Sequence, residues 1–301
     1  MRISLQKLLL RCLAILLLPF VFTTCEAMKE GVRTSRVILE QTPEILGEED
    51  CTKILKGLDA AHAMITEIDT AEEIAMGQSL AVKAFASFGK PCKARDLNEY
   101  VTRVGTLVAL QSDRPTLPYS FAVVENEDPT ALALPGGFVF VSTQLLRMLH
   151  SESELAAILG HEIAHIAEKH GLEITLRDRR IRSLVDFAAE LDEDVSQYRQ
   201  FVDESYNKLA HQGYDQRYEI KADLAGTRYA YRAGYHPGGL LPFLQKSAES
   251  NGEIAFEVFK THPDPNARID KIRTCLEALR HYQQRPELEE RYNREVLQRI
   301  P

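Results

Sequence analysis

The sequence predicts an α+β fold, mostly α-helical, with a small β-sheet packed on one long helix. Apolar residues recur at helical spacing along most of the 301 residues. Only two short stretches, 119–126 and 138–142, alternate and are rich in β-branched and aromatic residues. Both lie just ahead of the most apolar helical stretch, "SESELAAILGHEIAHIAEKHG" at 151–171, which offers a face for a sheet to cover. An apolar fraction of 45% is ample for a core, and the length fits one large or two small domains. The net charge of −8 comes from acidic and basic residues mixed along the chain, which excludes a basic nucleic-acid footprint and implies no DNA or RNA partner.

The elements follow in chain order. "MRISLQKLLLRCLAILLLPFVF" has a basic start and an apolar run from Cys12 to Phe22, the layout of a secretory signal peptide. The run is shorter than the roughly 20 apolar residues of a comfortable membrane span. Two processing routes are open: cleavage after Ala27 in "CEA", or lipidation of Cys25 in "FTTC", which would associate the chain with a membrane. Residues 28–50 read as a polar linker. Helices are predicted over 51–69, over 70–89 with a Thr70/Glu73 capping box, and over 96–112 from an Asp96 N-cap. The two strands at 119–126 and 138–142 are separated by the turn chemistry of "ENEDP". The helix at 151–171 starts from Ser151 with Glu154 at the capping-box position and stops at Gly171. The densely charged 172–214 keeps a helical stripe (Phe187, Leu191, Val195, Tyr198) and reads as solvated helices with one buried face. Further helices are predicted over 215–234, 238–250 and 261–280, and 281–301 reads as a charged amphipathic helix or a frayed end. The domain boundaries expected are therefore 1–27 signal, 28–71 linker and helix, 72–280 main domain and 281–301 tail.

Five cysteines occur, at 12, 25, 51, 92 and 275. No CxxC pair is present, so a thiolate metal site is not expected. In an oxidising compartment, two of Cys51, Cys92 and Cys275 can pair, and the spacing does not say which; unpaired packing is the alternative.

The chemistry concentrates in "HEIAH". Residues four apart on an α-helix differ by about 40° of rotation, so His161 and His165 project from one face and can bind a single metal ion. Glu162 sits beside the first ligand, where it can hold a water and take its proton; a metal ion lowers that water's pKa to roughly 7. A third protein ligand must come from elsewhere. In "YEIKAD", Glu219 and Asp223 lie a turn apart on one helix face, one carboxylate to bind metal and one to orient a ligand imidazole. His170, five after His165, falls off the ligand face and reads as a packing residue, and His236 reads as a loop residue.

"LPGG", "HEIAH", "EIKAD" and "THPDPNARI", in this order, resemble the M48 family of zinc metallopeptidases over about residues 72–280. The resemblance implies a zincin-like metallopeptidase domain of the gluzincin type, with one Zn2+ per chain. His161, His165 and Glu219 correspond to its ligands, Glu162 to its base, and Asp223 to its second acidic position. His262 matches a histidine near the metal that can stabilise the oxyanion or occupy the open position. Arg268 matches a basic residue that follows it. "LPGG" reads as a turn freeing the next strand's edge for an extended substrate. The family uses its equivalent strand in this way, which points to Gly136, Gly137, Phe138, Val139 and Phe140. The lead-in "TALALPGG" and the His236 of "GYHPGG" depart from the family pattern.

The reading expected from sequence is thus an exported zinc endopeptidase, periplasmic or membrane-associated, acting on protein substrates such as unfolded or misassembled envelope proteins. A chaperone or assembly factor with little or no proteolysis is the alternative. Oligomeric state is not legible. Intact-mass measurement on membrane and soluble fractions is expected to give a chain beginning near Cys25 or Met28. A diacylglyceryl mass on Cys25 would establish the lipid, and retention of Met1 would exclude cleavage.

Overall fold

The computed structural model describes residues 36–37, 55, 68–176, 214–249, 265–279 and 281–301. The expected signal segment, nearly all of the 51–69 helix, His262 and most of 172–214 lie outside the described residues. The chain divides into two compact units, Asp69–Ile174 with Val202–Pro301, and Met1–Ile68 with Thr175–Phe201. The first unit holds the sheet and the helices packed on it.

Helix α1, Thr70–Ser87, is capped one residue earlier than the sequence suggests. Asp69 Oδ1 accepts from Glu72 N at 2.8 Å, and Glu72 Oε2 accepts from Asp69 N at 3.3 Å. Glu73 is thereby released from capping and is buried instead. Its carboxylate takes Arg114 at 2.8 and 3.0 Å and the Gly136 N–H at 3.0 Å. Arg114 also donates to the Ile166 carbonyl at 3.3 Å. One buried ion pair so joins α1, the "LPGG" turn and the end of the "HEIAH" helix.

Helix α2, Arg95–Ala109, buries the expected stripe of Leu97, Val101, Val104 and Val108. It starts from Ala94 with no side-chain cap rather than from Asp96. The sheet follows, with strands β1 (Lys90–Pro91), β2 (Ser120–Glu125), β3 (Ala131–Leu134) and β4 (Phe138–Ser142) in the spatial order β1-β2-β4-β3. β2 runs parallel to β4 in register Ser120↔Phe138, and β3 runs antiparallel to β4 in register Leu134↔Phe138. β4 is therefore an interior strand, and this corrects the substrate edge expected at Phe138, Val139 and Phe140. Both of its backbone edges are used by neighbours. Val139 and Phe140 are buried, and the Phe140 ring meets Phe85 edge-on at 5.0 Å. The outer strand on the β4 side is β3, which the sequence pattern does not announce. "ALAL" has weak β-propensity, and pairing over a tight turn overrides it. That turn, Pro135–Gly137, needs its glycines: Gly136 and Gly137 have φ of 78° and 100°.

A short helix, α3 (Thr143–Met148), is capped by Ser142 Oγ accepting from Leu145 N at 3.0 Å. Helix α4, Glu152–Ala167, starts from the predicted Ser151 cap, Oγ accepting from Glu154 N at 3.1 Å. Glu152 to Ile166 are all buried, so α4 is a core helix covered on every side, with β3 among its neighbours. Helix α5, Gln216–Arg232, crosses α4 backbone to backbone. A Cβ on Gly226 would stand 2.6 Å from His161 N, and one on Gly160 would stand 2.9 Å from Gly226 O, so only the glycine pair permits the approach. Helices α6 (Leu240–Glu249) and α7 (Pro265–Ala278) complete the helical side.

The C-terminal stretch packs into the same core. Helix α8 (Glu289–Tyr292) and the π turn Asn293–Leu297 bury Tyr292 and Val296 completely. Arg291 forks onto the carboxylate of Glu152, itself 2% exposed, which also accepts from Tyr100 and, at 2.8 Å, from Tyr235. Cys92 and Cys275 are free thiols. No helix among the described residues is long and apolar enough to cross a membrane.

Glu152→Ala leaves two buried phenols and a guanidinium without their acceptor, and is expected to cost about 3–5 kcal/mol in urea unfolding. Arg291→Ala leaves the buried Glu152 carboxylate with its two phenol donors but no cation, and is expected to cost about 1–3 kcal/mol, less than Glu152→Ala because Arg291 itself is half exposed.

Candidate metal centre

α4 and α5 supply the centre, and their glycine crossing sets its dimensions. The His161 and His165 rings meet at a centroid distance of 4.7 Å, with Nε2 atoms 3.0 Å apart. Glu219, in the first turn of α5, brings Oε2 to 3.6 Å from His161 Nε2 and Oε1 to 3.4 Å from His165 Nε2. The three side chains are 4%, 1% and 0% exposed, and each offers a ligand atom within 4.8 Å of the others. A tetrahedral ion with bonds near 2.1 Å holds its ligand atoms about 3.4 Å apart. Two imidazoles and a carboxylate at these separations fit a metal ion.

Behind the ligands stands a second set of charges. Asp223 Oδ1 is 2.9 Å from His161 Nδ1, which leaves His161 Nε2 as the metal-facing atom. Arg268 of α7, 2% exposed, forks onto Asp223 at 2.7 and 2.8 Å and reaches Glu219 Oε2 at 3.2 Å. Burial opposes ionisation of Asp223, but Arg268 and His161 more than offset it and hold the carboxyl below its usual range. Burial, with His165 adding to it, lowers the His161 pKa and favours the neutral imidazole that ligation needs. Glu162, 3% exposed, follows His161 on α4, and burial, with the Glu162 and Glu219 carboxylates adding to it, raises the Tyr214 phenol. Formally, three buried carboxylates (Glu162, Glu219, Asp223) face one buried guanidinium, and a divalent cation balances the difference.

Residues 95–276, well over half of the chain, match the family described as Peptidase family M48. The chain belongs to this family. M48 relatives include the beta-barrel assembly-enhancing protease of Yersinia pestis, 28% identical over 59% of the chain and 38% of that protein. The mitochondrial metalloendopeptidase OMA1 of Schizosaccharomyces pombe is 29% identical over 59% of the chain and 52% of its own length. Metalloprotease LoiP of Escherichia coli is 26% identical over 60% of the chain and 72% of its own length. The chain thus spans about half or less of the first two relatives.

The structure of this M48 chain draws His161, His165, Glu219, Asp223 and Arg268 together. It leaves Gly136 to Phe140 outside the ligand cluster. A small cleft touching the centre is lined instead by Ala133, Leu134 and Pro135 together with His165 and Tyr214. Gly226, mid-helix in "ADLAG", is a further residue on which the centre depends. An interior helical glycine is its sequence signal. His170, expected merely to pack, lies with Nδ1 3.1 Å from His165 Nδ1. α4 ends at Ala167, Lys169 turns at φ 59°, and a new helical stretch starts at 170, so uniform helical spacing misplaces this ring.

One metal ion per chain is expected by elemental analysis of the purified protein. His161→Ala, His165→Ala and Glu219→Ala should each lower occupancy, and Glu162→Gln should retain it. Full occupancy in Glu219→Ala would remove the third-ligand assignment.

Proposed function

We propose that the chain is a zinc endopeptidase of the cell envelope that hydrolyses peptide bonds in misfolded or misassembled proteins. The observation that carries this reading is the buried His161–His165–Glu219 triad, with ligand atoms 3.0 to 3.6 Å apart beside Glu162. Two imidazoles and one carboxylate are the donor set of zinc hydrolases, so zinc is the metal. His161, His165 and Glu219 would hold the ion, which would supply Lewis acidity toward the scissile carbonyl and the attacking water. Glu162 would accept the proton of the attacking water and pass it to the leaving amine. Asp223 fixes the tautomer of His161, and Arg268 holds Asp223 in place. His262 is the proposed donor to the oxyanion.

The substrate strand lies along β3 rather than β4. Ser142 N donates to Thr130 O at 2.9 Å, so alternation turns the backbone groups of Ala131 and Ala133 away from β4. Among the described residues no strand pairs that edge. The outward amides suit main-chain pairing with an extended peptide, with the β3 end beside His165. The name of the Yersinia pestis relative ties that protein to β-barrel assembly, and the signal-like N-terminus of this chain suits export, which together favour envelope substrates. A lipid on Cys25 would add membrane association.

Degradation of an unfolded envelope protein by wild type and Glu162→Gln, with zinc content measured on both, tests the reading. Glu162→Gln should lose about 10²-fold or more in turnover with zinc retained. His262→Ala should lose on the order of 10²-fold. A gain for His262→Ala would make His262 a resting ligand. Complementation of a deletion by Glu162→Gln would make binding, and not cleavage, the function.

A further inference from the structure

We propose that His170 is a positioning residue for the metal centre, accepting a hydrogen bond from His165 Nδ1 and so fixing the tautomer and aim of that ligand. The role rests on the proposed zinc site. His165 turns Nε2 toward His161 and Glu219, so ligation at Nε2 leaves the ring proton on Nδ1. That N–H faces His170 Nδ1 at 3.1 Å. A donor on one ring requires a lone pair on the other, so His170 carries its own proton on Nε2.

The surroundings support a neutral acceptor. His170 is 1% exposed, between the His165 ring at 5.1 Å and the Tyr218 ring at 4.4 Å. Among the described residues its Nε2 meets no bonding partner, a cost that a ring placed only to fill space would avoid by being apolar. Tyr214 stacks on the face of His165 at 4.0 Å with an interplanar angle of 21°, so that ring is held across its face by one neighbour and at Nδ1 by another.

The two ligand histidines are therefore supported differently. His161 leans on a carboxylate, Asp223, itself paired with Arg268. His165 leans on a neutral ring, which orients it without adding charge to a site already rich in carboxylates. A carboxylate at position 170 would raise the formal negative charge by one more unit where the only described guanidinium, Arg268, is already divided between Asp223 and Glu219.

Competition titration of Zn2+ against a chromophoric chelator tests the role without reference to peptidase activity. Asparagine places its Oδ1 near the position of histidine Nδ1, so His170→Asn keeps the acceptor, while His170→Leu keeps the bulk and removes it. The expected result is zinc affinity within about threefold of wild type for His170→Asn and a 10- to 100-fold loss for His170→Leu. A packing role predicts the reverse order. Leucine equal to wild type, or asparagine as weak as leucine, would overturn the proposal. Nitrogen-15 histidine NMR of zinc-loaded wild type needs no variant: His170 should be protonated at Nε2 and bare at Nδ1, and a proton on Nδ1 would overturn the role. Wild type that binds no zinc would instead overturn the metal-site reading, and this role with it.

Discussion

The contact of α4 with α5 at Gly160 and Gly226 is the constraint from which the centre follows. Two helices that meet through side chains sit about 8–10 Å apart. Here backbone meets backbone, and the missing Cβ atoms let Glu219 and Asp223 reach the histidines of the facing helix. A single methylene at either glycine must push one helix off the other, and displacement of a fraction of an ångström is enough to spoil a set of ligand distances spanning 3.0 to 3.6 Å.

Charge is the second constraint. Buried carboxylates without partners are strongly unfavourable. The fold answers with one cation from outside the crossing helices, Arg268 of α7, which binds Asp223 and Glu219 together. Glu73 with Arg114 and Glu152 with Arg291 repeat the device at the two ends of α4. A helix buried all round is in this way tied at its middle and both ends by arginines drawn from distant parts of the chain.

Much of this was legible in the sequence because local rules carry it. The spacing of His161 and His165 follows from helix geometry, as does the shared face of Glu219 and Asp223, and the Ser151 and Asp215 caps mark the starts of α4 and α5. What was not legible depends on contacts far apart in the chain. Glu73 has the spacing of a capping residue to Thr70, yet Arg114 and Gly136 claim it. "ALAL" lacks strand propensity and becomes a strand because β4 pairs with it. That hidden pairing moved the free edge from β4 to β3. The place of His170 is hidden for the opposite reason: helical periodicity stops at the Lys169 turn, where φ is 59°.

The attachment of Arg291 to Glu152 gives the domain an order of assembly. The two residues are separated by 139 positions, and α4, with both histidines, leaves the ribosome long before its partner does. Until residues 291 to 296 arrive, Glu152 lacks its cation and the core lacks Tyr292 and Val296. A contact closing so long a loop comes late in folding. The nascent chain would hold the metal-binding sequence before it held a rigid place for the metal, and complete folding of α4 would wait on residues 291 to 296.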